Sequence, residues 1–223
     1  MTENQEEIKK FNLVILISGS ASTAIAVHKA IESGELLNIN IKKIISNSPR
    51  ISGIKNLIDA GFPKEKIKAI DKKEINNEKL FNEELFKSIN ETEPDLICQF
   101  GWLCKTPLNL IKAYPGKIIN QHPGPLDTAN GIFGGKGMYG IHVHRAVLDF
   151  AKKNPDFTHT KATTHYVTEE YDEGKIIATK ELEINTEESP ESLAARLLPL
   201  EHRLQIEVIN NLKEQAMLSL SDS

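Results

Sequence analysis

Cysteine is nearly missing from this sequence. There are two in 223 residues, Cys98 inside an apolar run and Cys104 just past it. That shortage excludes a small secreted scaffold held by disulfides and fits a reduced, cytoplasmic protein. No apolar run approaches the roughly 20 residues that cross a bilayer. Met1 to Lys10 is polar and acidic, without the apolar core of a signal peptide, so neither a membrane protein nor a secreted one is expected. Positive charge is not in excess either: 27 Lys and Arg stand against 31 Asp and Glu, a net charge of -4. A nucleic-acid or membrane-surface role therefore has no electrostatic support. Internal repeats, linkers and low-complexity tracts are lacking too. What remains, 39% apolar and 26% charged residues, describes an ordinary globular chain with length enough for one α/β domain. One domain over residues 1–223 is expected, with an ordered core over about 11–212 and frayed ends at 1–10 and 214–223.

Along the chain, Phe11 to Ile17 is a β-branched apolar run closed by the small-residue turn Ser18 to Thr23. Ala24, Val27, His28, Ala30 and Ile31 then recur at helical spacing. Strand signals follow at Ile39–Ile45, Ile67–Ile70, Asp95–Phe100 and Ile118–Asn120. Helical signals fall between them at Ile54–Ala60, Glu78–Ile89 and Pro107–Ala113. Such alternation predicts a Rossmann-like, doubly wound, mostly parallel sheet with right-handed crossovers. The second half differs. Gly124 to Gly140 holds six of the 13 glycines, a stretch that is either a functional loop or disordered. A helix over Ile141–Phe150, a loop over Lys152–Thr158, strands at Thr163–Val167 and Lys175–Ile184, and a helix from Glu191 to about Leu212 are expected after it. The two strands either pair as a hairpin or add antiparallel to the sheet edge.

The segment Ile118-Ile119-Asn120-Gln121-His122-Pro123 carries the strongest chemical signal. Alternate residues of an extended chain point the same way, so Asn120 and His122 share one cleft at a strand's C-terminal end. Open α/β sheets place ligands there. An amide donor beside a titratable ring suits a reaction that develops an oxyanion and moves a proton. Asp172, in a Tyr-Asp-Glu-Gly turn, is either a plain turn former or the carboxylate that fixes the His122 ring. The Ser18–Thr23 turn opens a helix and is either an anion site or a simple strand–helix turn. It lacks the spacing of dinucleotide and phosphate-loop motifs. His142 and His144 do not share a helical face and have no partner at metal-ligand spacing, so no metal is expected. Trp102 either paves a ligand slot or fills core.

Taken in order, five features resemble one family: the Ser-Gly turn after the first strand, Gly101-Trp102-Leu103, Ile119-Asn120-Gln121-His122-Pro123, His142-Val143-His144-Arg145, and Val167 followed by Asp172-Glu173-Gly174. The resemblance is to the folate-dependent formyltransferases, particularly those of purine synthesis, and it covers roughly Leu13 to Leu212. It implies the formyltransferase fold, and transfer of a formyl group from 10-formyltetrahydrofolate, as co-substrate, to the primary amine of a phosphorylated ribosyl compound. Carried over by position, it makes Asn120, His122 and Asp172 catalytic. It puts the folate against Trp102, Leu103, Cys104, Val167 and Thr168, with the Thr168–Asp172 loop over its pterin. It puts the substrate phosphate at Gly19, Ser20, Ala21, Ser22 and Thr23, with Glu201 on the ribose and His142 as a further active-site histidine.

The departures are specific. The family's phosphate turn, Gly-x-Gly-Ser-Asn, reads Gly19-Ser20-Ala21-Ser22-Thr23 here, and a basic residue three before the ribose acid is Leu198. Lys136 or Arg145 is expected to restore that charge. The partners implied are small molecules only, with the protein a monomer or homodimer. Rival readings are a sibling enzyme acting on another amine such as a nucleotide-linked amino sugar, a formyltetrahydrofolate hydrolase, and a non-catalytic folate-binding module. A methionyl-tRNA formyltransferase is disfavoured by the absence of a basic surface.

Overall fold

In the computed structural model, which describes residues 10–221, strand and helix alternate through the first half of the chain. β1 (Phe11–Ile17) leads into α1 (Ser22–Glu32), and β2 (Ile39–Ser46) into α2 (Ser52–Asp59). The short β3 (Ile67–Ala69) precedes one helical turn, α3 (Lys72–Ile75), and then α4 (Glu78–Asn90). β4 (Leu96–Phe100), α5 (Leu108–Ala113) and β5 (Ile118–His122) complete that half. After a long loop come α6 (Ile141–Lys153), the strands β6 (His159–Tyr166) and β7 (Ile176–Glu183), and α7 (Pro190–Ser221).

The strands form one sheet in the order β3-β2-β1-β4-β5-β6-β7. β1 to β5 run parallel, and β6 pairs antiparallel with both β5 and β7. The C-terminal strands are thus a hairpin and the sheet edge at once. Parallel pairs need crossover helices, which cover both faces of the sheet. β1 shows the result, with every residue but Asn12 buried. Leu13, Ile15 and Ile17 pack in a layer with Ala24 and Val27 of α1 and Leu197 and Leu204 of α7. Val14 and Leu16 pack with Phe81, Leu85 and Ile89 of α4 on the other side.

A third cluster ties the glycine-rich loop down. Phe133 is fully buried with Val143, Val147, Leu148 and Leu193. Its ring stands edge-on to Phe150 at 5.5 Å and lies parallel to Phe157 at 5.7 Å. Burying such a side chain contributes roughly 1.5–3 kcal/mol, enough to anchor the loop.

Several boundaries moved, each for a tertiary reason. β5 continues past Asn120 to His122 because β6 supplies partners, with Thr163 opposite His122. β6 begins at His159, not Thr163, since β7 pairs with it out to Glu183. α6 runs to Lys153, past the expected end at Phe150. α7 runs to Ser221, so 214–221, expected to fray, are helical. Pro199 lies inside that helix on its exposed side, where the missing N–H bond falls toward solvent. The turn α3 was unforeseen; Asp71 caps it by accepting from the N–H groups of Lys73 and Glu74. The expected tails at 1–9 and 222–223 lie outside the described residues.

Strand order reverses on either side of β1, so a crevice opens beyond the carboxyl ends of β1 and β4. The Leu103 N–H donates to Ser18 Oγ at 3.0 Å across it. β5 ends beside that crevice and delivers its last residues into it.

Candidate active site

β5 alternates its side chains between the two layers. Ile119 belongs to the α1–α7 side, with Gln121 bonded to α7, while Ile118, Asn120 and His122 turn the other way. In register on β6, His165 faces Asn120. The β6–β7 register shifts between Thr164 and His165, a bulge of the kind that re-aims a side chain. The turn beyond β6 then folds Asp172 back over both rings. Gly174 permits this: a Cβ there would sit 1.6 Å from the Tyr166 oxygen. Asp172 itself takes φ 59°, a left-handed conformation that few non-glycine residues adopt.

Four side chains therefore meet, three of them foreseen. Asn120 Nδ2 lies 3.1 Å from His165 Nε2 and 3.4 Å from Asp172 Oδ1. Asp172 Oδ2 is 3.7 Å from His122 Nδ1, and Oδ1 is 3.4 Å from His165 Nε2. The Gly135 N–H donates to Asp172 Oδ2 at 2.8 Å. His122 Nε2 lies 2.7 Å from the Phe133 carbonyl, which only accepts, so Nε2 carries the proton. By the same logic His165 Nδ1–H donates to the Tyr166 carbonyl at 2.9 Å, and its Nε2 accepts from Asn120.

Electrostatics settle the charge states. Burial lowers the His122 ring below its ordinary value, against the opposing pull of Asp172. Burial pushes the Asp172 carboxyl up, but the adjacent His165 and His122 rings and the Gly135 N–H outweigh it and hold the group below the usual range. The free protein thus pairs a neutral His122 with an ionised Asp172. Asn120 directs its N–H groups to His165 and Asp172 within the constellation. The 3.4 Å contact to Asp172 is the weaker one, and is the one an incoming oxyanion would take over.

The constellation forms the floor of a cavity of about 760 Å³. On the α4 side it is walled by Trp102, Leu103, Cys104, Val167 and Thr168, all five residues expected there. The Trp102 ring stacks on Phe81 at 6.4 Å, with its Nε1 buried and unpartnered among the described residues. Cys104 Sγ accepts from Asn47, and burial raises its thiol, which stays protonated.

Gly19, Ser20, Ala21, Ser22, Thr23 and Glu201 line the α1–α7 side. Ala21 stands where the family's turn has its second glycine and keeps the left-handed conformation, φ 62°. Among the described residues no side chain caps α1, and its first turn, with Ser22 and Thr23, lines the cavity. Lys136 lines the cavity from the glycine-rich loop and pairs with no acid among the described residues.

His142 and Arg145 are not in the lining; His144 is. Helical period held the clue, since His144 shares a buried stripe with Val147, Leu148 and Ala151. His165 was missed as well, though Val167 and Thr163 flank it on the same face of β6. Among the described residues no group of three or more His, Cys, Asp or Glu side chains could hold a metal ion, and no helix is long and apolar enough to cross a membrane.

Comparison with known proteins identifies the family. A phosphoribosylglycinamide formyltransferase of Dictyostelium discoideum is 33% identical over 211 residues, covering 89% of this chain and 96% of the relative. The chloroplastic phosphoribosylglycinamide formyltransferase of Arabidopsis thaliana is 30% identical over 95% of this chain, which spans 68% of that relative's length. Among solved structures, the phosphoribosylglycinamide formyltransferase of Coxiella burnetii superposes with a TM-score of 0.74 at 29% identity, covering 90% of this chain and 86% of that one. The formyl transferase family model matches residues 11–209. With nearly the whole described fold matched, the chain belongs to the formyl transferase family.

Proposed function

We propose that this protein transfers the formyl group of 10-formyltetrahydrofolate to the primary amine of glycinamide ribonucleotide, a step of purine synthesis, in the cytoplasm. The observation that carries the reading is the meeting of Asn120, His122, His165 and Asp172 on the floor of a cavity with two unlike walls. The apolar wall at Trp102 suits a flat pterin. The opposite wall, with the first turn of α1 and Lys136, suits a phosphate.

In the reaction the amine nitrogen bonds to the formyl carbon, and the carbonyl oxygen becomes an oxyanion. Asn120 donates to that oxygen in place of its long contact to Asp172. The amine proton passes to the Asp172–His122 pair, whose Nδ1 is the free lone pair of the neutral ring. Protonated, that ring is stabilised by Asp172 and becomes a second donor to the oxyanion. The bond from the formyl carbon to the folate nitrogen then breaks, and the proton ends on that nitrogen.

The test is an assay of folate release with glycinamide ribonucleotide present or absent. Release that depends on this amine supports the proposal. Release without any amine would make the protein a hydrolase, binding without release a module, and release with an amino-sugar nucleotide alone a sibling transferase. In the same assay Lys136→Ala should raise the amine's KM about tenfold or more, the worth of one charge-assisted phosphate contact. Arg145→Ala, off the cavity, should leave it unchanged.

A further inference from the structure

Gln121 separates Asn120 from His122, and the alternation of β5 sends its side chain to the opposite face. There its Nε2–H donates to Glu201 Oε2 on α7 at 2.5 Å. Both residues line the cavity, and Glu201 is only 6% exposed. The Gln121 carbonyl oxygen is buried with no partner among the described residues, so the bond to Glu201 decides which way the amide points. The other Glu201 oxygen, Oε1, accepts no hydrogen bond among the described residues and is left to the cavity.

We propose that Gln121 is a positioning residue for the acceptor: it holds one oxygen of Glu201 so that the other accepts from the paired hydroxyls of the acceptor's sugar ring. This rests on the reading above, in which a sugar-bearing amine occupies the α7 side of the cavity.

The same bond governs charge. Burial raises the Glu201 carboxyl to about 7, and the Gln121 amide pulls against that rise. The charged and titratable groups on α7 and the elements packed against it include Arg196, His202, Arg203 and Glu207 on α7, His28, Lys29 and Glu32 on α1, His142, His144 and Arg145 on α6, His159, Lys161 and His165 on β6, and Lys180 and Glu181 on β7. None forms an ion pair with Glu201 among the described residues; Lys180 is engaged by Glu207 and His28 by Glu32. Without Gln121, burial would act unopposed and the acceptor oxygen would carry a proton at neutral pH.

Two measurements on Gln121→Met, nearly equal in volume, test this. The first is the 13C NMR titration of the Glu201 carboxyl in ligand-free protein, its resonance identified by loss in Glu201→Gln. The midpoint should move upward; an unmoved midpoint overturns the proposal. The second is the KM for the amine against pH. A carboxyl raised above about 7 is less than half ionised at pH 7, so KM should rise severalfold there and return toward wild type at pH 9. kcat and the folate KM should stay within about twofold, and adding Gln121→Met to Glu201→Gln should change KM no further. A fall in kcat alone, or a further rise in KM when Gln121→Met is added to Glu201→Gln, overturns it. A moved NMR midpoint in a protein that formylates no sugar-bearing amine would sink the functional reading instead.

Discussion

Asn120 ties His165 to Asp172 through one nitrogen, so removing it loosens both partners as well as a donor. The loss of one oxyanion donor raises a barrier by about 3 to 4 kcal/mol, two to three orders of magnitude in rate. Asn120→Ala, His122→Ala and Asp172→Ala should each lower kcat at least that far in steady-state assays with both substrates saturating. Their combined loss should be smaller than the product, because the groups share bonds and act as a unit. Wild-type turnover from His122→Ala would leave the assignment without support. Three of these four residues were legible in the sequence, because an amide and a ring two apart at a strand end, and an acid in a tight turn, are local patterns. His165 was not. Thr163-Thr164-His165-Tyr166 looks like any strand, and only its antiparallel register sets His165 opposite Asn120. Gln121 was hidden for a similar reason, since Glu201 lies 80 positions along the chain.

Among the elements, the glycine-rich loop gains its order from anchors near its middle. Phe133 plugs the α6 cluster while its carbonyl fixes the His122 tautomer, and Gly135 two residues later holds Asp172. Composition marked this stretch as special but could not show that it is built onto His122 and Asp172, because the contacts are to residues on β5 and the β6–β7 turn. Gly134 is where the fit is tightest: a Cβ there would lie 2.6 Å from the Leu126 side chain and 3.1 Å from Asp172 Cβ. Gly134→Ala should therefore push the loop off Asp172 and lengthen the Gly135 bond. Hydrogen bonds to a charged group are worth about 1.5–3 kcal/mol, so kcat should fall about tenfold or more. That N–H helps hold the Asp172 carboxyl low, so losing it should also move the acid limb of the pH–rate profile to higher pH. An acid limb that stays in place would show that the loop backbone does not hold the carboxylate.

Across the whole molecule, the buried groups of the cavity set how stability depends on pH, and two of them pull in opposite directions. His144 is 4% exposed, and burial lowers its ring from 6.5 to about 4. Between those values the unfolded chain binds a proton that the folded one does not, so stability is lost as pH falls from 6.5 toward 4. Glu201 is raised by burial from 4.5 to about 7. Between those values the folded chain binds the extra proton, so stability is lost as pH rises from 4.5 toward 7. Each displacement corresponds to about 3 kcal/mol, so over the window from pH 4.5 to 6.5 the two slopes nearly cancel. Glu201→Gln removes one of them. Urea unfolding across pH 4.5 to 8.5 should show the variant equal to wild type at the acid end and more stable at pH 8, by up to about 3 kcal/mol. In between, its stability should climb with pH more steeply than that of the wild type. A constant offset between the two curves would mean that Glu201 titrates at its ordinary value in the folded protein, its carboxylate solvated through the cavity.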